Sequence, residues 1–211
     1  MTKEVSHNLS AAQRGYTGPM SQVSSAAAPG RLELVRRFVN TRDVAAGQDA
    51  LAAPAGLGDW LRGAGLLEAS TGDPVAADRA HAVEVREALR AVLLANHDDQ
   101  AAPAVAMRVL NGALRRARVS IAFSVTGPAQ WTVEPASGEV DGAIGRLLSV
   151  VIEAMPASTW RRLKVCASDD CRWAFYDRSR ARSGKWCSMG ACGNRAKQRA
   201  WRVRHAELDT T

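Results

Sequence analysis

"RLKVCASDDCRWAFYDRSRARSGKWCSMGACGNRAKQRAWR", residues 162–202, carries all four cysteines of the chain as two pairs, Cys166-x4-Cys171 and Cys187-x4-Cys192, with fifteen residues between them. Two bidentate thiolate arms of this kind supply what a tetrahedral Zn²⁺ requires, and a site filled by four protein ligands has no open position at which water could be activated. The spacing therefore points to a structural zinc centre held by Cys166, Cys171, Cys187 and Cys192. A disulfide, free thiols or an iron–sulfur centre are the other chemistries that four cysteines allow. A segment this short cannot keep a core of its own, so metal binding there is largely folding energy. Trp173, Phe175 and Trp186 are expected to pack around the ion.

The last cysteine runs into "GNRAKQRAWRVRH", which reads as a basic helix. At 100° per residue, Ala196, Ala200 and Val203 make a narrow apolar stripe suited to docking on the zinc loop. Arg195, Arg199 and Arg202 flank it on one side and Lys197, Trp201 and Arg204 on the other, with Gln198 opposite. Such a surface suits DNA, because flanking cations neutralise phosphates while Gln or Arg can pair with base edges in the major groove. The loop "RSRARSGK" adds Arg178, Arg180, Arg182 and Lys185 as candidate phosphate contacts.

Charge is segregated in the same direction. From Trp160 to His205 there are thirteen Lys and Arg against three Asp, a net of +10, which leaves the remainder at −3 of the formal total of +7. A mildly acidic body with a strongly basic end favours a polyanionic partner. The chain contains no long uncharged apolar run, and its first twenty residues lack the apolar region of a secretory signal, so a soluble, cytoplasmic protein with no membrane partner is expected.

Outward from the cysteine segment, the body is helical. "RLELVRRFVNT" places Leu34, Val35, Phe38 and Val39 at helical spacing and predicts a helix ending near Asn40. "GDWLRGAGLL" reads as a short helix with Trp60, Leu61 and Leu66 inward. A long helix follows "TGDP", with Asp73 as its cap and Pro74 at its first position, and with Val85, Ala88, Leu89, Val92 and Leu93 as its buried stripe. A further helix is expected through Val105, Val109, Leu110 and Leu114. "SIAFSVTGPAQWTVEP" then changes the period to two around a Thr-Gly-Pro turn and predicts one β-hairpin. Val140, Ile144, Leu147, Leu148 and Val151 return to helix, and Pro156 with Ser158 mark a boundary. The expected fold is α+β and mainly helical. It comprises a flexible arm (1–30), a helical domain with one small β-hairpin (31–157), and a small four-cysteine zinc finger made of a zinc loop and a basic helix (158–207).

Residues 162–202 resemble the CGNR zinc-finger family, with Cys192-Gly193-Asn194-Arg195 supplying the name. The body is similar to the ABATE domain in "FVNT" (38–41), "LGDWL" (57–61), "REALR" (86–90) and "LNGAL" (110–114). The resemblance implies a bacterial, stress-induced transcription regulator whose helical N-terminal domain is joined to a DNA-binding finger, with the four cysteines as zinc ligands. It also implies a body that binds a small effector. Asn40, Arg86 and Asn111, on three separate helices, are the candidate polar groups for such a site. The alternative roles are a helix cap for Asn40, a pairing of Arg86 with Glu87 or Asp59, and a helix tie for Asn111.

The residues do not suggest an enzyme. His7, His81, His97 and His205 are scattered with no triad or metal spacing, and Asp169, Asp170 and Asp177, which could serve a nuclease with Mg²⁺, flank the cysteines and more simply balance charge. The favoured function is a zinc-dependent regulator that binds duplex DNA, with a homodimer as the form that would gain a second half-site. The alternatives are an RNA- or ribosome-associated zinc-binding factor and a zinc-stabilised protein-interaction module.

Overall fold

The computed structural model describes residues 27–97, 100–123, 131–135 and 139–208. The first 26 residues of the expected N-terminal arm, His7 and the Thr-Gly-Pro turn lie outside them. Among the described residues, six α-helices and three two-stranded antiparallel sheets make a mainly helical α+β fold.

Helix α1 (Leu32–Val39) turns Leu32, Val35, Phe38 and Val39 inward and ends at Asn40, as its periodicity predicts; Leu34 is half-buried at the edge. Two short strands, β1 (Arg42–Asp43) and β2 (Gln48–Asp49), follow as a hairpin whose Gly47 takes φ +67°. Helix α2 (Pro54–Gly63) buries Leu57 and Leu61, and its half-buried Trp60 meets the Phe38 ring at 5.0 Å.

The long helix is α3 (Ala76–Ala95), which buries the expected stripe of Val85, Ala88, Leu89, Val92 and Leu93. Its start differs from the expectation: Asp73 is not the cap and Pro74 is not the first helical residue. The Asp73 carboxylate accepts from Arg62 at 2.8 Å, the chain stays extended through Val75, and Asp78 reaches back to take the Val75 N–H at 2.8 Å. The cap position thus lies two residues beyond Asp73, and the carboxylate that serves it is Asp78, the third residue of the helix.

Helix α4 (Ala104–Arg116) packs on α3 through Ala106, Leu110 and Ala113. The expected stripe is rotated, with Val109 and Leu114 half-buried at the rim and Val105 62% exposed. Small residues at the contact let two helix backbones approach closely, a gain that periodicity in large apolar residues does not reveal. Strands β3 (Val119–Phe123) and β4 (Trp131–Pro135) pair as the expected hairpin, in the register Ile121 opposite Val133. Helix α5 (Val140–Ala154) is the most buried helix, with Val140, Ile144, Leu147, Leu148 and Val151 all inside.

A 3₁₀ turn (Trp160–Arg162) leads to β5 (Leu163–Val165), which pairs with β6 (Ala174–Tyr176); helix α6 (Asn194–Leu208) ends the described chain. Two of the three sheets, β1–β2 and β5–β6, have no counterpart in the sequence pattern. Strands of two or three residues are too short for an alternation to register. The β5–β6 hairpin does not stand apart: Trp160, Leu163, Val165 and Ala174 belong to the same apolar core as α1, α3 and α5. A second, small cluster consists of Cys166, Cys171 and Cys192 with Trp173, Trp186 and Cys187 packed on it.

Candidate metal centre and nucleic-acid interface

The four cysteine sulfurs converge. Their Sγ atoms all lie within 4.8 Å of one another, and among the described residues no other such group of His, Cys, Asp or Glu is found. Cys171 and Cys187 stand 3.7 Å apart, as do Cys187 and Cys192. A tetrahedron with Zn–S bonds of about 2.3 Å has edges of about 3.8 Å, so the spacing fits a four-thiolate zinc site. Cys166, Cys171 and Cys192 are buried and Cys187 is half-buried, which matches a closed, structural centre.

The four thiols are close enough to perturb one another. Hydrogen bonds from the Cys171 and Cys187 thiols hold Cys166 down at about 2, whereas the resulting thiolate pushes Cys171 up to about 12 and Cys187 higher still. One charge in this space is favourable and a second is not, until a divalent cation offsets them. When bound, the ion would supply cross-linking of the two arms.

Each arm is shaped locally. The Cys166 N–H donates to Trp173 O at 2.8 Å, and the Cys171 and Arg172 N–H groups both donate to Ser168 O at 3.0 Å, closing a tight knuckle in which Arg172 takes φ +51°. The second arm runs through a π turn (Met189–Gly193) directly into α6. A Cβ at Gly193 would sit 2.9 Å from Met189 Sδ and 3.2 Å from Trp186, so a side chain there would have to displace the Met189 thioether. Asn194 Nδ2 donates to Gly190 O at 3.2 Å, and Arg195 donates to Cys192 Sγ at 3.1 Å. The tetrapeptide at 192–195 thus combines a candidate ligand, a close approach, a turn tie and a charged donor to the cysteine sulfur.

Trp173 and Trp186 flank the sulfurs as expected, but Phe175 does not. It is buried on the side of the body, tilted against His97 with ring centroids 6.1 Å apart.

Helix α6 also departs from the expected docking. Ala196 is half-buried, yet Ala200 is exposed and Val203 is 55% exposed, so the apolar stripe is covered only at its first turn. The element it packs on is the π turn at its own start. Arg178, Arg180, Arg182, Lys185, Arg195, Lys197, Gln198, Arg199, Arg202 and Arg204 are all exposed. Arg178 donates to Ala27 O at 3.0 Å, Arg195 to Cys192, and Arg199 to Asp170 at 2.9 Å, contacts that tie these side chains to the fold. Trp201 is stacked on His205 at 4.1 Å and is 54% exposed.

The three candidate effector contacts do not line one site. Asn40 is buried and grips one residue of β6, donating to Ala174 O at 2.9 Å and accepting the Ala174 N–H at 2.7 Å. Arg86 is buried and pairs with Asp49, rather than Asp59, through two bonds of 2.7 and 2.9 Å; it also donates to Glu87 and Thr41. Burial would lower the Arg86 pKa, but the hydrogen bonds and charges of Asp49 and Glu87 raise it above the ordinary value. Asn111 is exposed on α4. A shallow groove of about 430 Å³ beside α4 includes His81, Arg108 and Arg116 in its lining but none of these three.

Residues that the sequence patterns leave unmarked tie the body to the finger. Arg90, in "REALR", donates to Arg172 O at 2.6 Å and to Val39 O at 2.8 Å. Asn96 donates to Trp160 O and Leu163 O at 3.2 and 2.9 Å, and His97 Nε2 donates to Val165 O. The one signal in the sequence is an arginine on the apolar face of α3, one position after Leu89.

The remaining catalytic alternatives separate. Asp169 pairs with Arg172, Asp170 with Arg199 and Asp177 with Lys164, while His81, His97 and His205 sit on α3, just beyond its end and on α6.

Comparison with known families accords with this geometry. The ABATE family, described as "Putative stress-induced transcription regulator", matches residues 32–158, well over half of the chain. The chain belongs to the ABATE family. The CGNR zinc finger matches residues 162–205 of this ABATE protein, so the two follow in the order that the sequence resemblance implied. No curated protein matches the chain. Among the described residues of the ABATE protein, no helix is long and apolar enough to cross a membrane.

Proposed function

We propose that this protein is a zinc-dependent transcription regulator that holds Zn²⁺ through Cys166, Cys171, Cys187 and Cys192 and binds duplex DNA through its basic loop and helix α6. The observation that carries the reading is the continuity between the two: the sulfur quartet closes at Cys192, and an exposed cationic helix begins two residues later. In this reading, residues 31–157 form the regulatory body and residues 158–207 the DNA-binding finger, in the cytoplasm. Lys197, Arg199, Arg202 and Arg204 neutralise phosphates, and Gln198 reads a base edge. A small-molecule effector bound by the body remains part of this reading, with Asn40, Arg86 and Asn111 as the candidate polar groups that the resemblance suggested. A homodimer would present two such helices to two half-sites.

The test is anisotropy of a labelled duplex against salt, with zinc counted by elemental analysis. One zinc per chain and affinity that falls steeply with salt are expected, and chelation should abolish binding. Gln198→Ala should change sequence preference, whereas Lys197→Ala should weaken all duplexes alike. Stronger binding of single-stranded RNA, dependent on Trp201, would overturn the duplex reading. Salt-independent or absent binding to any nucleic acid would favour a protein-interaction module instead.

A further inference from the structure

The loop between β6 and the second cysteine pair is built on two cations that lie beneath it. Lys164, in the middle of β5, is 1% exposed, an unusual place for an ammonium group. Its three protons have three acceptors: Asp177 Oδ2 at 2.9 Å, Arg182 O, and Gly184 O at 3.5 Å. Asp177, 4% exposed, also accepts the N–H groups of Ser179 at 2.9 Å and Gly184 at 2.8 Å. Arg162 donates from the same side to Asp177 O at 2.9 Å and Ser179 O at 2.8 Å.

A buried ion pair adds little stability over an apolar pair of the same size, so stability does not explain why Lys164 and Asp177 stand where Leu163 and Val165 have apolar neighbours. What the pair does is fix a shape. Four loop carbonyls, those of Asp177, Ser179, Arg182 and Gly184, are turned inward to Arg162 and Lys164. Arg182 is held at φ +53°, a left-handed conformation that arginine rarely adopts unless its surroundings impose it. Gly184 has no room for a side chain, because a Cβ there would lie 2.8 to 3.0 Å from the Asp177 carboxylate. With its acceptors turned inward, the loop presents Arg178, Arg180 and Arg182 outward, all exposed.

We propose that residues 177–185 are a pre-shaped clamp for the phosphate backbone of duplex DNA, with Lys164 and Asp177 as its positioning residues; the proposal rests on the duplex-binding reading above. Inward carbonyls remove the groups that would repel phosphate, and a loop already ordered before binding loses little freedom on contact. Specific readout is left to α6, while the clamp sets register and orientation.

The experiment uses the full zinc-loaded chain and a random-sequence duplex, with affinity followed from about 50 to 200 mM salt. One variant replaces Arg178, Arg180 and Arg182 together by Ala, which changes exposed positions and gives up one exposed bond, from Arg178 to Ala27 O. It is expected to keep its zinc and its melting transition, and its log–log salt slope should flatten by roughly 0.9 for each phosphate that is no longer neutralised. The second variant, Gly184→Ala, retains every charge but crowds the Asp177 carboxylate. Its affinity should fall about tenfold while the slope changes by less than about one unit, the mark of a loop that must now be ordered on binding. Zinc content and melting are measured first. If Gly184→Ala has lost either, Ser179→Pro, which deletes the N–H given to Asp177 from an exposed position, is read in its place. A triple variant with the parental slope overturns the clamp, and wild-type affinity in the loop-shape variant overturns the positioning role. A parent chain without salt-dependent duplex binding would overturn the regulator reading and this inference together, a result distinct from either.

Discussion

Asn40 uses both ends of its amide on the backbone of Ala174, taking the place of a neighbouring strand. Replacing it by Ala leaves a buried N–H and a buried C=O without partners, at a cost of about 1–3 kcal/mol for each group. Asn40→Ala is therefore expected to lower the free energy of unfolding by about 3 kcal/mol in urea titration, with the metal still bound. Titratable residues add a pH dependence in two separate windows. Burial pushes His81 below its ordinary 6.5, with the Arg116 charge acting in the same direction, and its Nε2 has no hydrogen-bond partner among the described residues. The neutral ring is favoured in the fold, so its contribution is complete above about 6.5 and is lost as pH falls from there through the lower folded value. Burial would raise Asp177, but hydrogen bonds from Ser179, Lys164 and Gly184 outweigh it and hold the carboxyl at about 2. That contribution is present above about 4 and is lost only as pH falls toward 2. In His81→Phe, urea midpoints measured across pH should lose the decline that begins near 6.5, while the decline below about 4 persists.

At the level of elements, α4 shows how packing can override periodicity. Its contact with α3 is made by Ala106, Leu110 and Ala113, so Val105→Lys should leave the melting temperature within a degree or two, since surface changes are small. Ala113→Leu should destabilise by about 1–3 kcal/mol through overpacking. A reversal of that order would contradict the observed face. The long helices were legible because α1, α3 and α5 bury large apolar residues at regular intervals, of which Val85, Leu89, Val92 and Leu93 are the clearest set. The start of α3 was not legible, because the fate of Asp73 depends on Arg62, eleven residues away. The metal quartet was legible because four cysteines have few uses in so short a segment. The exposure of α6 was not, because Ala196, Ala200 and Val203 describe a face that could be covered, and only the surrounding chain decides whether a cover exists. Lys164 and Asp177 were hidden for a related reason: each carries a charge that composition assigns to the surface.

Across the whole molecule, body and finger share one apolar core and a set of polar ties, so the sequence boundary near residue 157 is not a mechanical one. Arg90 reaches the carbonyl of Arg172, the residue after Cys171, and so links the interior of α3 to the metal knuckle. Chelation of the zinc-loaded chain should therefore lower the melting temperature of the body helices as well as abolish structure near the cysteines. Calorimetry should show one transition in the loaded chain and a body transition at lower temperature after chelation; an unchanged body transition would show the two parts to be independent. The wedge formed by Trp160, Leu163, Val165 and Ala174 has a further result for engineering. A chimera that moved residues 158–207 onto a foreign scaffold would carry a greasy underside with nothing to cover it, whereas an exchange from residue 31 onward would keep wedge and socket together.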